Sequence, residues 1–181
     1  AIEANDSHFA GYHGRAASHL LLADFANAEK DYRQALQLLQ SESSVGEASS
    51  SALDSCWMGL AESLIETKQY DKGLDALCSL NDAATRQQGL DTFVVDALDS
   101  ELSCAQVAID ADEFSDALPL LTRAIHFESG LVSRKLTRKG YKRRSSLALQ
   151  RRGQCYLEME DTDLALADLR QACRLDPGNA E

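Results

Sequence analysis

Apolar residues in this chain recur with the period of an α-helix, and the same recurrence appears four times. Ala28, Tyr32, Ala35 and Leu39 fall at i, i+4, i+7 and i+11, which is one stripe of a helix. Equivalent stripes are Leu74, Leu77 and Leu80, then Ala117, Leu121 and Ala124, then Ala165, Leu169 and Ala172. A short polar turn precedes each stripe: Ala23-Asp24-Phe25, Lys68-Gln69-Tyr70, Asp112-Glu113-Phe114 and Glu160-Asp161-Thr162. An aromatic closes three of these turns. Before each turn lies another apolar segment with a small residue at its centre, namely Ala16, Ala61, Ala105 or Gly153. Small side chains there let two antiparallel helices approach closely. The pattern predicts helix–turn–helix units over 9–42, 54–87, 98–131 and 146–179. A unit of that size cannot bury its own apolar face, so it must stack on a neighbour. The predicted fold is therefore all-α, one domain spanning 1–181.

The units begin near Phe9, Asp54, Leu98 and Ser146, at spacings of 45, 44 and 48 residues. The residues between units either lengthen the helices or form loops. Segment 41–51 holds six serines and reads as a loop. Segment 81–98 reads as more helical, with the first helix of the third unit beginning near Asp91. Segment 129–145 reads as a basic linker containing Gly130 and Gly140. Pro119 falls in the second helix of the third unit. With Ser115 as N-cap it would lie in the first turn, where a missing N–H costs little.

The units resemble the tetratricopeptide repeat, whose unit is about 34 residues with the pattern W-x2-L-G-x2-Y…A-x3-F…P. The fourth unit carries Gly153, Tyr156, Ala165, Leu169, Ala172 and the ending Leu175-Asp176-Pro177. The second keeps Trp57, Leu60, Ala61, Leu64 and Tyr70, but has Gly73 where the family usually has alanine. The first matches through Tyr12, Ala16, Phe25, Ala28, Tyr32 and Ala35, the third through Ala105, Phe114, Ala117, Leu121 and Ala124. The resemblance implies an α-solenoid of about four antiparallel helix pairs in a right-handed superhelix. It also implies a non-catalytic protein–protein interaction module. The closing residues resemble the start of a further unit, so a piece of a longer protein is expected.

In that family the first helices of successive units line a concave groove that receives a peptide or helix. By register the groove residues here are His13, Ala17 and Leu20, then Met58, Glu62, Ile65 and Glu66. Asp99, Leu102, Gln106 and Ile109 follow, and then Gln150, Arg151, Gln154 and Leu157. The competing reading buries several of these against neighbouring helices. The carboxylates favour a neutral or basic partner. Family members that grip the acidic tail of heat-shock chaperones use Lys and Asn on the first helix, Asn on the third, and Lys and Arg on the fifth. Those places hold His13, Ala17, Gly59, Asp99 and Ser103, so the carboxylate clamp is absent and that partner is not expected.

Composition changes this picture in three ways. Only two prolines interrupt the chain, as an all-helical fold requires. The net charge is −11, yet 129–145 holds Arg134, Lys135, Arg138, Lys139, Lys142, Arg143 and Arg144 with no acidic residue. That strap reads as a solvated linker, an import signal, or a contact for phosphates of nucleic acid or lipid headgroups. A further reading is a counter-charge folding onto the acidic groove. Self-association through the last unit is another alternative. Finally, Cys56, Cys78, Cys104, Cys155 and Cys173 lie in helical segments and form no C-x-x-C pair. They read as packed, reduced thiols of an intracellular protein, cytoplasmic or nuclear. No catalytic motif, metal-ligand spacing, cofactor loop or stretch of about 20 apolar residues is visible. An enzyme, a cofactor and a membrane span are accordingly not expected.

Overall fold

The computed structural model describes residues 9–41, 47–134 and 139–177. Among them the fold is all-α, without a strand. The elements are α1 (Phe9–Leu21), α2 (Phe25–Ser41), α3 (Glu47–Glu66), α4 (Tyr70–Cys78) and α5 (Ala83–Gly89). A π-helical turn, Leu90–Val94, follows. Then come α6 (Val95–Asp110), α7 (Phe114–Ser133), α8 (Lys139–Glu158) and α9 (Thr162–Leu175). Contacts divide the chain into two compact units, Ala1–Val95 and Asp96–Glu181.

The four turns are built identically. Ala23, Lys68, Asp112 and Glu160 each adopt a left-handed conformation, with φ of 55°, 62°, 60° and 64°. In each, the left-handed residue donates its N–H three residues back and the next residue donates five back. In the first turn these bonds are Ala23 N–H to the Leu20 carbonyl and Asp24 N–H to the His19 carbonyl, both 2.9 Å. Gln69 to Leu64, Glu113 to Ala108 and Asp161 to Tyr156 repeat the longer bond at 2.8 Å. This paired closure satisfies the last carbonyls of the first helix and reverses the chain within three residues. The four left-handed residues lie 45, 44 and 48 positions apart, the spacing read from the apolar stripes.

In the first unit α1 packs on α2, α2 on α3 and α3 on α4. Ala16, Ala28, Ala35, Leu60, Ala61, Leu64, Leu74 and Leu77 form the shared core. In the second unit α7 packs on α8 and α8 on α9, around Ala105, Ala117, Leu121, Leu131, Leu149, Ala165 and Ala172. Each fully buried leucine is worth about 2 kcal/mol of transfer free energy.

A polar latch recurs across two of these hairpins. Arg15 of α1 holds Asp31 of α2 through two bonds of 2.6 and 2.7 Å. Arg152 of α8 holds Asp168 of α9, at the same separation along the chain, through bonds of 2.6 and 2.8 Å. Each guanidinium also lies near a tyrosine one turn away, Tyr12 or Tyr156. The third hairpin runs its pair the other way, with Arg123 of α7 donating to buried Glu101 of α6. The second has Leu60 and Ala76 where the latch would stand, both buried.

Several sequence expectations are corrected. The serine-rich segment expected as a loop over 41–51 is helical from Glu47, and 42–46 lie outside the described residues. The expected basic linker 129–145 is largely helix, since α7 continues to Ser133 and α8 begins at Lys139. The helix α7 starts at Phe114, so Pro119 is its sixth residue and leaves the Ser115 carbonyl without its helical partner. Only Cys56 and Cys155 are buried; Cys78, Cys104 and Cys173 are exposed. Polar helix faces carry these three, and a thiol is small enough to sit on either face.

Candidate functional site

One hollow of the first unit has a volume of about 400 Å³ and lies among α1, α2, α3, α5 and the π-helical turn. Its walls are Leu20, Tyr32, Asp54, Ser55, Met58, Gly59, Glu62, Thr85, Gln88, Gly89, Thr92 and Phe93. Three of these, Leu20, Met58 and Glu62, were expected in a groove from register alone.

Local chemistry explains how the walls come together. Asp54, buried two turns into α3, accepts the backbone N–H groups of Asn81 and Asp82 at 2.8 and 3.0 Å, and the Asn81 side-chain amide at 3.2 Å. Those bonds pin the α4–α5 loop to α3. Asp82 then caps α5, accepting Thr85 N–H and the Thr85 hydroxyl, each at 2.6 Å. The Thr85 hydrogen bonds hold the Asp82 carboxyl below its ordinary value. Arg86 donates to the Leu80 carbonyl and fastens the same corner. Gly89 brings α5 against α3: a Cβ there would lie 2.6 Å from Leu77 and 2.9 Å from the Met58 sulfur.

Tyr32 enters the hollow from α2, across α3, at Gly59. Any side chain at Gly59 would overlap the tyrosine ring and hydroxyl, so this glycine is what admits them. His13 of α1 braces the arrangement, bonding Ser55 at 2.9 Å and meeting the Tyr32 ring edge-on at 5.8 Å. Burial, reinforced by Glu62 and Cys56, pushes the Tyr32 hydroxyl up to about 12. Glu62 is half-buried, and desolvation followed by the charge of Glu66 raises its carboxyl above the ordinary value. Cys56 beneath them is pushed up to about 11 by burial, which makes it an inert thiol.

The remaining expected groove residues fall elsewhere. Ala17 is half-buried and does not line the hollow, and Glu66 is exposed one turn beyond Glu62. Ile65 is only 3 % exposed and packs against Gly73 of α4, so it belongs to the core. Leu102, 5 % exposed, is likewise core. These two are corrections: each lies one helical turn from a small crossing residue, Ala61 or Ala105, and so shares the face that packs against neighbouring helices. In the second unit Asp99 is bound by Arg144 through bonds of 2.7 and 2.9 Å, and that partner lowers its carboxyl. Arg151 donates to the Leu102 carbonyl at 2.9 Å, and burial lowers its guanidinium. Gln106 donates to Asp110 at 2.7 Å. Ile109 and Gln150 are half-buried, while Gln154 and Leu157 are exposed. Asp99 and Arg151 are thus already committed within the chain.

The basic strap also resolves into parts. Arg134 ends α7 and donates to the Gly130 carbonyl at 3.1 Å. Lys135 and Arg138 lie outside the described residues. Lys139 opens α8, Lys142 and Arg143 are exposed on it, and Arg144 is the partner of Asp99. Within the strap, Arg144 thus pairs with one carboxylate, Asp99.

Sequence reasoning put Tyr32 in the apolar stripe of its helix and missed its reach into the hollow. The available signal was a tyrosine in a stripe otherwise made of Ala and Leu, with a glycine on the next helix. Among the described residues no cluster of His, Cys, Asp or Glu is arranged to hold a metal ion, and no helix is long and apolar enough to cross a membrane.

Helical hairpins closed by identical turns and packed in series define a helical-repeat protein. Residues 146–179 match the family model of the tetratricopeptide repeat. The repeat is, in general, a protein-interaction module. The chain is also similar to a solved structure described as YrrB, a TPR protein with an unusual peptide-binding site. The two are 17 % identical with a TM-score of 0.34, over 98 % of this chain and 91 % of that one. So loose a superposition transfers no site.

Proposed function

We propose that the chain is a non-catalytic scaffold that holds a peptide or helix of a protein partner against α1, α3 and α5 of its first unit. The observation that supports this is the hollow of about 400 Å³, where Leu20, Met58 and Glu62, all of groove register, come together and Phe93 completes an apolar wall with Leu20 and Met58. Around that wall stand Ser55, Glu62, Thr85, Gln88 and Thr92, a polar rim able to fix a backbone or side chain. The chemistry of the walls suits a neutral or basic segment and opposes an acidic chaperone tail. Nucleic-acid binding through the basic strap is the weaker reading, since Arg144 is spent on Asp99. Exposed Cys78, Cys104 and Cys173 suit a reducing compartment, the cytoplasm or the nucleus.

The test is photo-crosslinking. A photoreactive residue replaces Met58 or, as control, exposed Leu166 of α9. Peptides selected on the whole chain from a random display library are then irradiated with each. Cross-linking from position 58 and not from 166 is expected. Cross-linking from 166 alone, or no selectable peptide, rejects the assignment.

A further inference from the structure

We propose that the hollow of the first unit receives an arginine side chain of the partner segment, with the Glu62 carboxylate as its counter-charge and the Tyr32 hydroxyl as a second acceptor. This deepens the peptide-binding reading and rests on it. The two groups are prepared for a ligand in different ways. Glu62 lines the hollow, half-buried, and has no hydrogen bond or ion pair with any described residue. Tyr32 is 3 % exposed and lines the same space, yet its hydroxyl also bonds to no described residue. Both side chains line the hollow with acceptor lone pairs not engaged by a described residue, so a donor arriving there can bond to them without displacing a partner within the chain.

The surroundings select the donor. No Lys or Arg is among the residues lining the hollow. The other lining carboxylate, Asp54, is occupied by three bonds from Asn81 and Asp82. Negative charge therefore concentrates at Glu62, with Glu66 adding to it from the next turn. An acidic side chain is repelled there, and a neutral one would desolvate Glu62 further without pairing it. Leu20, Met58 and Phe93 suit the methylene stem of a long cation, which buries its carbons while its head stays polar. Arginine fits better than lysine because its planar fork can address two acceptors at once and is more weakly hydrated. The raised Glu62 carboxyl agrees: the fold keeps a charge there that its own contacts do not support.

Random dodecapeptides displayed on phage are selected on the whole chain, on Glu62→Gln and on Tyr32→Phe, with circular dichroism confirming that each variant is folded. Arginine enriched at one peptide position on the wild type and not on Glu62→Gln is the expected result. The best peptide is then synthesised with that arginine or with citrulline, which keeps the shape and loses the charge. Citrulline should bind about tenfold more weakly to the wild type and equally to Glu62→Gln. Tyr32→Phe should weaken the arginine peptide several-fold. Peptides that cross-link from position 58 without arginine, or arginine and citrulline binding alike to wild type, would overturn the inference and leave the groove reading standing. Failure to select any peptide removes both.

Discussion

Glu62 is a carboxylate that its own fold works against. Burial and Glu66 raise its proton affinity above the unfolded value, so the ionised form destabilises the native state at neutral pH. That penalty is relieved as pH falls through the raised value and is gone below about 4.5, where the unfolded chain is protonated too. Glu62→Gln should therefore raise stability at pH 7, by about 1 kcal/mol or less given solvent screening, and abolish the gain that the wild type shows as pH falls toward 4.5. Melting curves across that range check it. Asp24, Asp82 and Asp99 act oppositely: hydrogen bonds from Asn27, Thr85 and Arg144 lower them, so their contribution is lost as pH falls below the ordinary carboxylate range. The latches obey a different logic. Arg152 is 18 % exposed and Asp168 8 %, whereas Arg15 is 46 % exposed. Asp168→Ala should cost about 2–3 kcal/mol by urea denaturation, because it strands a largely buried cation. Asp31→Ala should cost only about 1 kcal/mol, water being at hand.

At the scale of elements, four turns place a non-glycine residue in left-handed backbone, and each carries the steric cost of its Cβ. Glu160→Gly should stabilise the fold by about 0.5 kcal/mol, the strain relieved slightly exceeding the extra freedom of the unfolded chain. Denaturant midpoints test the sign. The turns were legible from sequence because a polar triplet between two apolar stripes has few other solutions. Helix ends were less legible. Serine costs only about 0.5 kcal/mol relative to alanine inside a helix, so a serine run attached to packed α3 follows it into helix from Glu47. The basic stretch obeys the same rule once α8 is anchored by Ser146, Leu149 and Arg152.

For the molecule as a whole, the division at Val95 and Asp96 has a consequence for folding. The ion pairs Arg123–Glu101, Arg144–Asp99 and Arg152–Asp168 and the core around Leu121, Leu131 and Leu149 all lie within 96–181. That fragment alone should show a helical circular dichroism spectrum and a cooperative melt; a non-cooperative one would mean that it needs residues 1–95. Sequence alone determined the helices, their pairing and the spacing of the hairpins, because periodicity, small residues and turn chemistry act over a few neighbouring positions. Which groove residues are free was decided only in three dimensions. Whether Ile65 faces Gly73, whether Arg144 reaches Asp99, and whether Gly59 lets Tyr32 through depend on how closely helices distant in sequence approach, and no local pattern encodes that distance.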